Sequence, residues 1–109
     1  MIGLLFGLAV NSAVVSDAIT AGQLNRACTE HSASGRQLCQ AFLLSGATTL
    51  SGPRSPVRRI CPPATASYED FHDTFTTYLA EHAEQHATPA LVVMVEAYEG
   101  AYPCRGVGP

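Results

Sequence analysis

Residues 68–86 read YEDFHDTFTTYLAEHAEQH, and this stretch decides the fold class. Its apolar and aromatic side chains recur three or four positions apart, at Phe71, Phe75, Tyr78, Leu79 and His82. This spacing places them on one face of an α-helix. Ser67, followed three residues later by Asp70, has the pattern of a helix N-cap. We therefore predict a helix from residue 68 to about residue 86.

Two helices are predicted before this stretch. Thr20 and Gln23 have the spacing of a capping box, which predicts a first helix from residue 21 to about residue 29. A second helix is predicted from about residue 35 to residue 50, because apolar residues recur there at helical spacing. Its apolar stripe consists of Leu38, Cys39, Phe42, Leu43, Gly46 and Leu50. Small residues in the same helix would let a neighbouring element approach closely; they are Ala41, Ser45, Gly46 and Ala47.

A fourth helix is predicted after residue 88. Thr88 is its expected N-cap and Pro89 its first residue, a position where the missing amide hydrogen of proline is tolerated. Residues 51–56, SGPRSP, separate the first two helices from the last two, since proline and glycine interrupt helices. No useful length of chain alternates apolar and polar residues, so a sheet is not expected. The predicted class is all-α, a small four-helix bundle of two helical hairpins.

The four cysteines predict two disulfides that staple these hairpins. They form an even set without the close pairs typical of zinc sites: Cys28, Cys39, Cys61 and Cys104. The first two flank the turn of the first hairpin, and the last two flank the open end of the second. Pairing Cys28 with Cys39 and Cys61 with Cys104 is therefore favoured among the three connectivities. Four buried, reduced thiols are the alternative for a chain that stays in the cytosol.

Residues 1–18 suit a secretory signal peptide. Their apolar run is short for a membrane span, which takes about 20 residues, and Ser16-Asp17-Ala18 fits a small-x-small cleavage site. No Lys or Arg precedes the run, which a truncated start would explain; a buried N-terminal helix of a cytosolic protein is the alternative. We expect export, a helical domain at residues 19–104, a flexible tail at residues 105–109, and no membrane association after cleavage.

Composition and motifs argue against several classes of function. The formal net charge is -3 and no long basic run is present, so nucleic-acid binding is not expected. His82 and His86 lie four apart and could share a metal ion, but no third ligand follows from the spacing. His72-Asp73 lacks the Gly-x-Ser-x-Gly elbow of a serine hydrolase. We expect no metal, no cofactor and no enzymatic activity, and we expect the chain to act by binding another protein.

Several segments, in their order and spacing, resemble the Tai-type (Rap/Tai) immunity proteins of type VI secretion systems. These segments are ICPP at 60–63, YLAEHAEQ at 78–85, PALV at 89–92 and AYPC at 101–104. Upstream, Gln23-Leu24, Cys28 and the run from Leu38 through Gly46 are similar to the first conserved block of that family. The similarity covers nearly all of residues 19–109.

The resemblance implies a small, helical, disulfide-bonded protein that acts in the periplasm. Characterised members bind and neutralise a secreted toxin, typically a peptidoglycan-cleaving amidase, and several are homodimers. The implied partners are therefore a cognate toxin of the cell-wall amidase class and a second copy of the chain. Ala83 stands where the family often has proline, so the third helix is expected to run longer here.

The candidate contact residues lie at the charged, irregular edges of the predicted bundle, where binding residues concentrate. They are Arg54, Arg58 and Arg59 in the central loop, and Glu81, His82, Glu84, Gln85 and His86 at the end of the third helix. A competing hypothesis is an acid-responsive periplasmic chaperone, since four histidines and nine carboxylates would change charge on acidification. The lysine-rich termini that would help such a chaperone stay soluble are missing from the sequence.

Overall fold

The computed structural model describes residues 19–52 and 60–104. These residues form four α-helices: α1 (Ala21–Thr29), α2 (Ala33–Ser51), α3 (Tyr68–Glu81) and α4 (Ala90–Ala101), with a short 3-10 helix (Ala83–Gln85) between α3 and α4. Their single β feature is an isolated bridge between Thr20 and Pro89, so the all-α prediction is confirmed. In the same two ranges, no helix combines the length and the apolar character needed to cross a membrane. The predicted signal peptide and the tail at residues 105–109 lie outside the described residues.

The first hairpin begins as its capping residues predict. Thr20 Oγ1 accepts a hydrogen bond from the Gln23 amide at 3.2 Å, and Gln23 Oε1 accepts one from the Thr20 amide at 2.8 Å. The capping box predicted for α1 is therefore confirmed. α2 begins two residues earlier than predicted, because Ser32 Oγ accepts a hydrogen bond from the Gly35 amide at 3.0 Å and caps that helix.

Both predicted disulfides are present. Cys28 is bonded to Cys39 and Cys61 to Cys104, with Cα–Cα distances of 5.0 and 4.8 Å. The first disulfide joins the end of α1 to α2. The second joins the segment before α3 to the segment after α4. Each disulfide therefore closes one hairpin.

The hairpins share one core that all four helices and Ile60 supply. Its largest fully buried side chains are Tyr98, Phe75, Leu24, Leu43, Ile60, Leu79, Met94 and Val93. Most of the predicted stripes are buried, but the stripe of α2 is wider than the surface that its neighbours cover. Leu38 is 45% exposed, and Phe42 is only half-buried.

The predicted end of the third helix is wrong. α3 ends at Glu81, and His82 has φ -131° and ψ 61°, outside the helical region. The Nδ1 atom of His82 lies 2.8 Å from the Tyr78 carbonyl, and its ring stacks on the Tyr78 ring with centroids 4.0 Å apart. This side-chain contact engages a carbonyl that the next turn of the helix would otherwise use. The longer helix expected from Ala83 is not formed.

The start of the fourth helix is also shifted by one residue. Pro89 is the N-cap of α4, with ψ 137°, and Ala90 is the first helical residue. The Ala90 amide donates to the Ile19 carbonyl at 3.1 Å, and the Thr88 carbonyl accepts from Ala21 at 2.8 Å. Because these main-chain contacts fix the approach to α4, Thr88 does not act as the predicted cap.

Candidate partner-binding surface

The segment between α3 and α4, residues 82–89, is fastened to the start of α1. The Gly22 amide donates to the His86 carbonyl at 2.9 Å, beside the bond from Ala21 to Thr88. The first amides of a helix have no acceptor within the helix, so these carbonyls satisfy groups that would otherwise need water. The main chain of the segment therefore follows a path fixed by α1.

The candidate contact residues of this segment lie along one exposed edge, which we call the rim (residues 81–86). Glu81, Glu84 and His86 are exposed, while His82 and Gln85 are half-buried. The two half-buried side chains pack on Tyr78: His82 stacks on its ring, and Gln85 Nε2 donates to its hydroxyl at 3.3 Å. The rim thus presents charged side chains on a supported main chain.

Tyr78 links the rim to α4. Its hydroxyl donates a hydrogen bond to Glu96 Oε1 at 2.8 Å. That bond to a carboxylate, together with partial burial, raises the pKa of the Tyr78 phenol above its ordinary value. The phenol is therefore protonated at neutral pH, so it can serve as the donor that holds Glu96.

A groove of about 420 Å³ runs between α3 and α4 below the rim. Three carboxylates line it, those of Asp73, Glu81 and Glu96, and no basic residue of the described chain does so. Asp70, by contrast, has a structural role, since its Oδ2 accepts from the Ser67 amide at 2.8 Å and completes the cap of α3. This side of the molecule is acidic.

The structure describes the two candidate histidines but not the three candidate arginines. Arg54, Arg58 and Arg59 lie outside the described residues. Because α3 ends at Glu81, His82 and His86 do not share the helical face assumed for a metal pair. In the described part of the chain, no group of three or more His, Cys, Asp or Glu side chains is arranged to hold a metal ion.

His72 and Asp73 lie together at the junction between α3 and α1. Nδ1 of His72 is 3.1 Å from Asp73 Oδ1, and its Nε2 is 3.2 Å from the Cys28 carbonyl. The four cysteines are all in disulfides, so none is a nucleophile beside this pair. The geometry gives His72 a packing role between two helices.

A second surface was not identified from the sequence: an apolar groove of about 470 Å³ between α2 and α4. Its lining residues are Leu38, Ala41, Phe42, Ser45, Gly46, Thr49, Leu91 and Met94. Leu38, which belongs to the predicted apolar stripe of α2, is 45% exposed, and Leu91 is 53% exposed. The width of the α2 stripe is the feature of the sequence that could have indicated this groove.

Comparison with known proteins identifies the family. No curated protein and no solved structure matches the chain. The family model of the Rap1a immunity proteins matches residues 20–104, from the N-cap of α1 to the last cysteine of the second disulfide. The match includes both hairpins and the rim. Since it spans well over half of the sequence, the chain belongs to the Rap1a immunity protein family.

Proposed function

We propose that this immunity protein binds and neutralises a toxin delivered by a type VI secretion system, and that the toxin is a peptidoglycan amidase. Family membership supports an inhibitor and favours it over the acid-responsive chaperone. The structural observation that carries the proposal is the rim, an exposed charged edge whose main chain is fastened to α1. In this proposal the protein is not an enzyme and needs no cofactor.

A fixed main chain suits a surface that must bind tightly. Ordering a loop on association lowers affinity, and a loop that is already ordered avoids most of that loss. The bonds from Gly22 to His86 and from Ala21 to Thr88 therefore order the end of the rim before the partner arrives, which favours tight binding. We propose that the rim enters or covers the substrate cleft of the toxin.

The charge of the rim indicates the chemistry of the surface that it meets. Glu81 and Glu84 are exposed on the rim, and Glu81 also lines the acidic groove. A basic patch on the toxin would be attracted to this side and would accelerate association. Arg54, Arg58 and Arg59 are proposed as a second, separate contact.

We further propose that the protein works in the periplasm and that residues 1–18 are removed on export. Two disulfides support this location, because such bonds persist in oxidising compartments. A toxin that cleaves peptidoglycan acts in the same compartment. A second copy of the chain is proposed as a further partner, and nucleic acid is not.

The experiment uses the toxin encoded by the neighbouring gene. We expect the immunity protein to form a complex with it and to rescue cells that make the toxin in the periplasm. A double variant of the rim, Glu84→Ala with His86→Ala, should weaken the complex by about tenfold or more, as loss of a central contact does. Calorimetry on purified proteins measures the affinity.

Glu69→Ala is the matched control. Glu69 is an exposed carboxylate on α3, the helix that carries Glu81, but it lies twelve residues before Glu81, about 18 Å along the helix. Its removal should leave the affinity unchanged. If wild-type protein neither binds nor rescues, the proposed function is wrong; if binding survives the rim variant, the rim is not the contact surface.

A further inference from the structure

A polar cleft of about 600 Å³, which we call the α1 cleft, lies between α1 and the end of the rim. Its lining residues in the described part of the chain are Thr20, Gly22, Gln23, Asn25, Arg26, Thr29, His86 and Ala87. One of them, Arg26, is a cation, and none of them is a carboxylate. The α1 cleft therefore differs in charge from the acidic groove between α3 and α4.

Three side chains of the α1 cleft have hydrogen-bonding groups that the chain itself does not use. Within residues 19–52 and 60–104, no side-chain hydrogen bond or ion pair is made by Asn25, Arg26 or His86. The other polar side chains are engaged locally. Those of the capping box bond to main-chain amides, and the Thr29 hydroxyl donates to the Arg26 carbonyl at 3.2 Å. The cleft therefore offers a guanidinium, an amide and an imidazole to a ligand.

Arg26 has no carboxylate partner in the described chain, although an acidic residue follows it by four positions. Glu30 is the C-cap of α1, and its ψ of 158° takes it off the helical path on which such pairs form. Its Oε1 accepts instead from the Ser32 hydroxyl at 3.3 Å. Arg26 is exposed, and a guanidinium has five donors. A carboxylate of another molecule can therefore bind Arg26 through two parallel hydrogen bonds.

The rim connects two surfaces of different charge. Residues 19–52 contain two arginines and one glutamate, whereas residues 60–104 contain seven carboxylates and neither arginine nor lysine. Glu81, the first residue of the rim, lines the acidic groove, and His86, its last residue, lines the α1 cleft. A protein that binds along the rim meets carboxylates at one end and a cation at the other. Complementary charges on that protein would select one orientation of the two possible.

We propose that the α1 cleft is a second binding site for the toxin and that it holds an aspartate or glutamate side chain lying beside the toxin's basic patch. Arg26 binds this carboxylate, and Asn25 and His86 supply further donors. The toxin is the occupant because His86 belongs to both the rim and the cleft, so a protein seated on the rim reaches the cleft. This inference rests on the proposed function and adds the orientation in which the toxin binds.

Calorimetry with the toxin encoded by the neighbouring gene tests the site. Arg26→Gln should weaken the complex by about tenfold or more, because the toxin carboxylate loses its partner. Arg36→Gln is the matched control: Arg36 is the other arginine of the described chain and is exposed on α2, and it does not line the α1 cleft. It changes the net charge equally, so it should alter the affinity by less than about twofold. Urea unfolding verifies that both variants are folded.

Substitutions in the toxin identify the carboxylate that the α1 cleft holds. Each exposed aspartate or glutamate of the toxin is replaced by its amide. One replacement should weaken binding to the wild-type immunity protein by about tenfold and have little further effect on binding to Arg26→Gln. At that toxin position, arginine combined with Arg26→Glu should restore affinity that either change alone removes. An effect of Arg26 on folding alone would not be reversed by a change in the toxin.

The outcomes separate this inference from the proposed function. If the wild-type protein binds the toxin and Arg26→Gln binds it equally well, the α1 cleft is not a binding site, while the proposed function stands. Equal weakening by Arg26→Gln and Arg36→Gln, or the lack of any toxin carboxylate coupled to Arg26, would also overturn the inference. If the wild-type protein does not bind the toxin, the proposed function is wrong and the inference fails with it.

Discussion

The hydroxyl of Tyr98 donates a hydrogen bond to the main-chain carbonyl of Leu43, with 3.0 Å between the two oxygens. Tyr98 is on α4 and completely buried, and its ring packs on Phe71 of α3 with centroids 5.2 Å apart. One side chain therefore connects the second hairpin to α2 of the first. A buried phenol needs such a partner, and the carbonyl of a helix can accept this additional bond.

Replacing Tyr98 should separate the contribution of its ring from that of its hydroxyl. Tyr98→Phe is expected to lower the free energy of unfolding by about 1 kcal/mol, the usual net contribution of a hydrogen bond. Tyr98→Ala should lower it by about 3–5 kcal/mol, because a cavity is left in the core. Urea unfolding measures both values. Tyr78→Phe, which removes a hydroxyl near the surface, should change stability by less than either.

The burial of the Tyr98 phenol should also make the protein less stable at alkaline pH. Burial, and to a lesser degree the neighbouring phenols, raises the pKa of Tyr98 above its ordinary value of 10.0. Above that pH the unfolded chain loses the proton while the folded chain keeps it, so unfolding becomes more favourable as pH rises. This contribution is complete below pH 10 and declines by about 1.4 kcal/mol per pH unit above it.

Unfolding free energies between neutral pH and pH 11 would reveal this decline. Tyr98→Phe is the control, because it has no phenol to titrate and should show a correspondingly shallower slope. An identical slope in the variant and the wild type would show that other groups cause the alkaline loss.

Removing each disulfide should destabilise the protein in proportion to the loop that it closes. The pair Cys28–Cys39 spans 11 positions and the pair Cys61–Cys104 spans 43. Chain entropy predicts losses of about 3 and about 4 kcal/mol for the respective double alanine variants. The urea concentrations at the unfolding midpoints of the two variants would show which disulfide contributes more stability.

Tyr68 requires a control in that comparison. Its hydroxyl donates to the Cys39 Sγ at 3.1 Å, so removing the first disulfide also removes an acceptor. Tyr68→Phe, measured alone and combined with the alanine variant, gives the size of this contact. A larger loss for the shorter loop after this correction would contradict the entropic account.

Gly22 should control the position of the rim. A Cβ at this position would lie 3.0 Å from His86 Nδ1 and 3.1 Å from the His86 carbonyl oxygen. Because that carbonyl also accepts from the Gly22 amide, it cannot retreat without losing the bond. Gly22→Ala should therefore lower toxin affinity by about tenfold, a free-energy change of about 1.4 kcal/mol, and forfeit the gain in stability that alanine usually gives a helix.

Gly100→Ala is the comparison for that variant. Apart from its chain neighbours and the backbone of its own helix, no heavy atom lies within 4 Å of a Cβ at this exposed position in α4. Its stability should rise by about 0.5–1 kcal/mol, and its affinity for the toxin should not change. Equal effects of the two substitutions would show that the contact between Gly22 and His86 does not position the rim.

Local patterns predicted the parts of the fold that local contacts determine. Thr20 and Gln23 lie three positions apart and bond to each other, so their capping box could be identified directly. The path of the chain after α3 depends on distant groups in addition to the local contact between His82 and Tyr78. His82 continues the apolar stripe, but the carbonyls of His86 and Thr88 bond to amides of α1, more than 60 positions away. Periodicity contains no information on that contact.

The candidate surfaces show the same difference between what local sequence patterns predict and what distant contacts determine. The sequence identified Glu81 to His86 as a charged edge, and the structure places Glu81, Glu84 and His86 in solvent. Their role in binding stays a prediction. The apolar groove was overlooked because the spacing of Leu38 and Phe42 shows that they share a face with the core residues. Spacing does not show whether a neighbouring element covers that face.

The two disulfides have a consequence for how the protein can be divided. Each lies within one half of the sequence, at 19–52 or 60–104, so no covalent bond except the main chain joins the halves. A cut between residues 52 and 60 would yield two fragments, each with its own cross-link. Their reassembly would depend on the shared core, which includes Tyr98 and Phe75, and on the main-chain hydrogen bonds that join the start of α1 to the segment before α4. The molecule is thus a natural candidate for a two-part reporter whose signal measures the affinity of one half for the other.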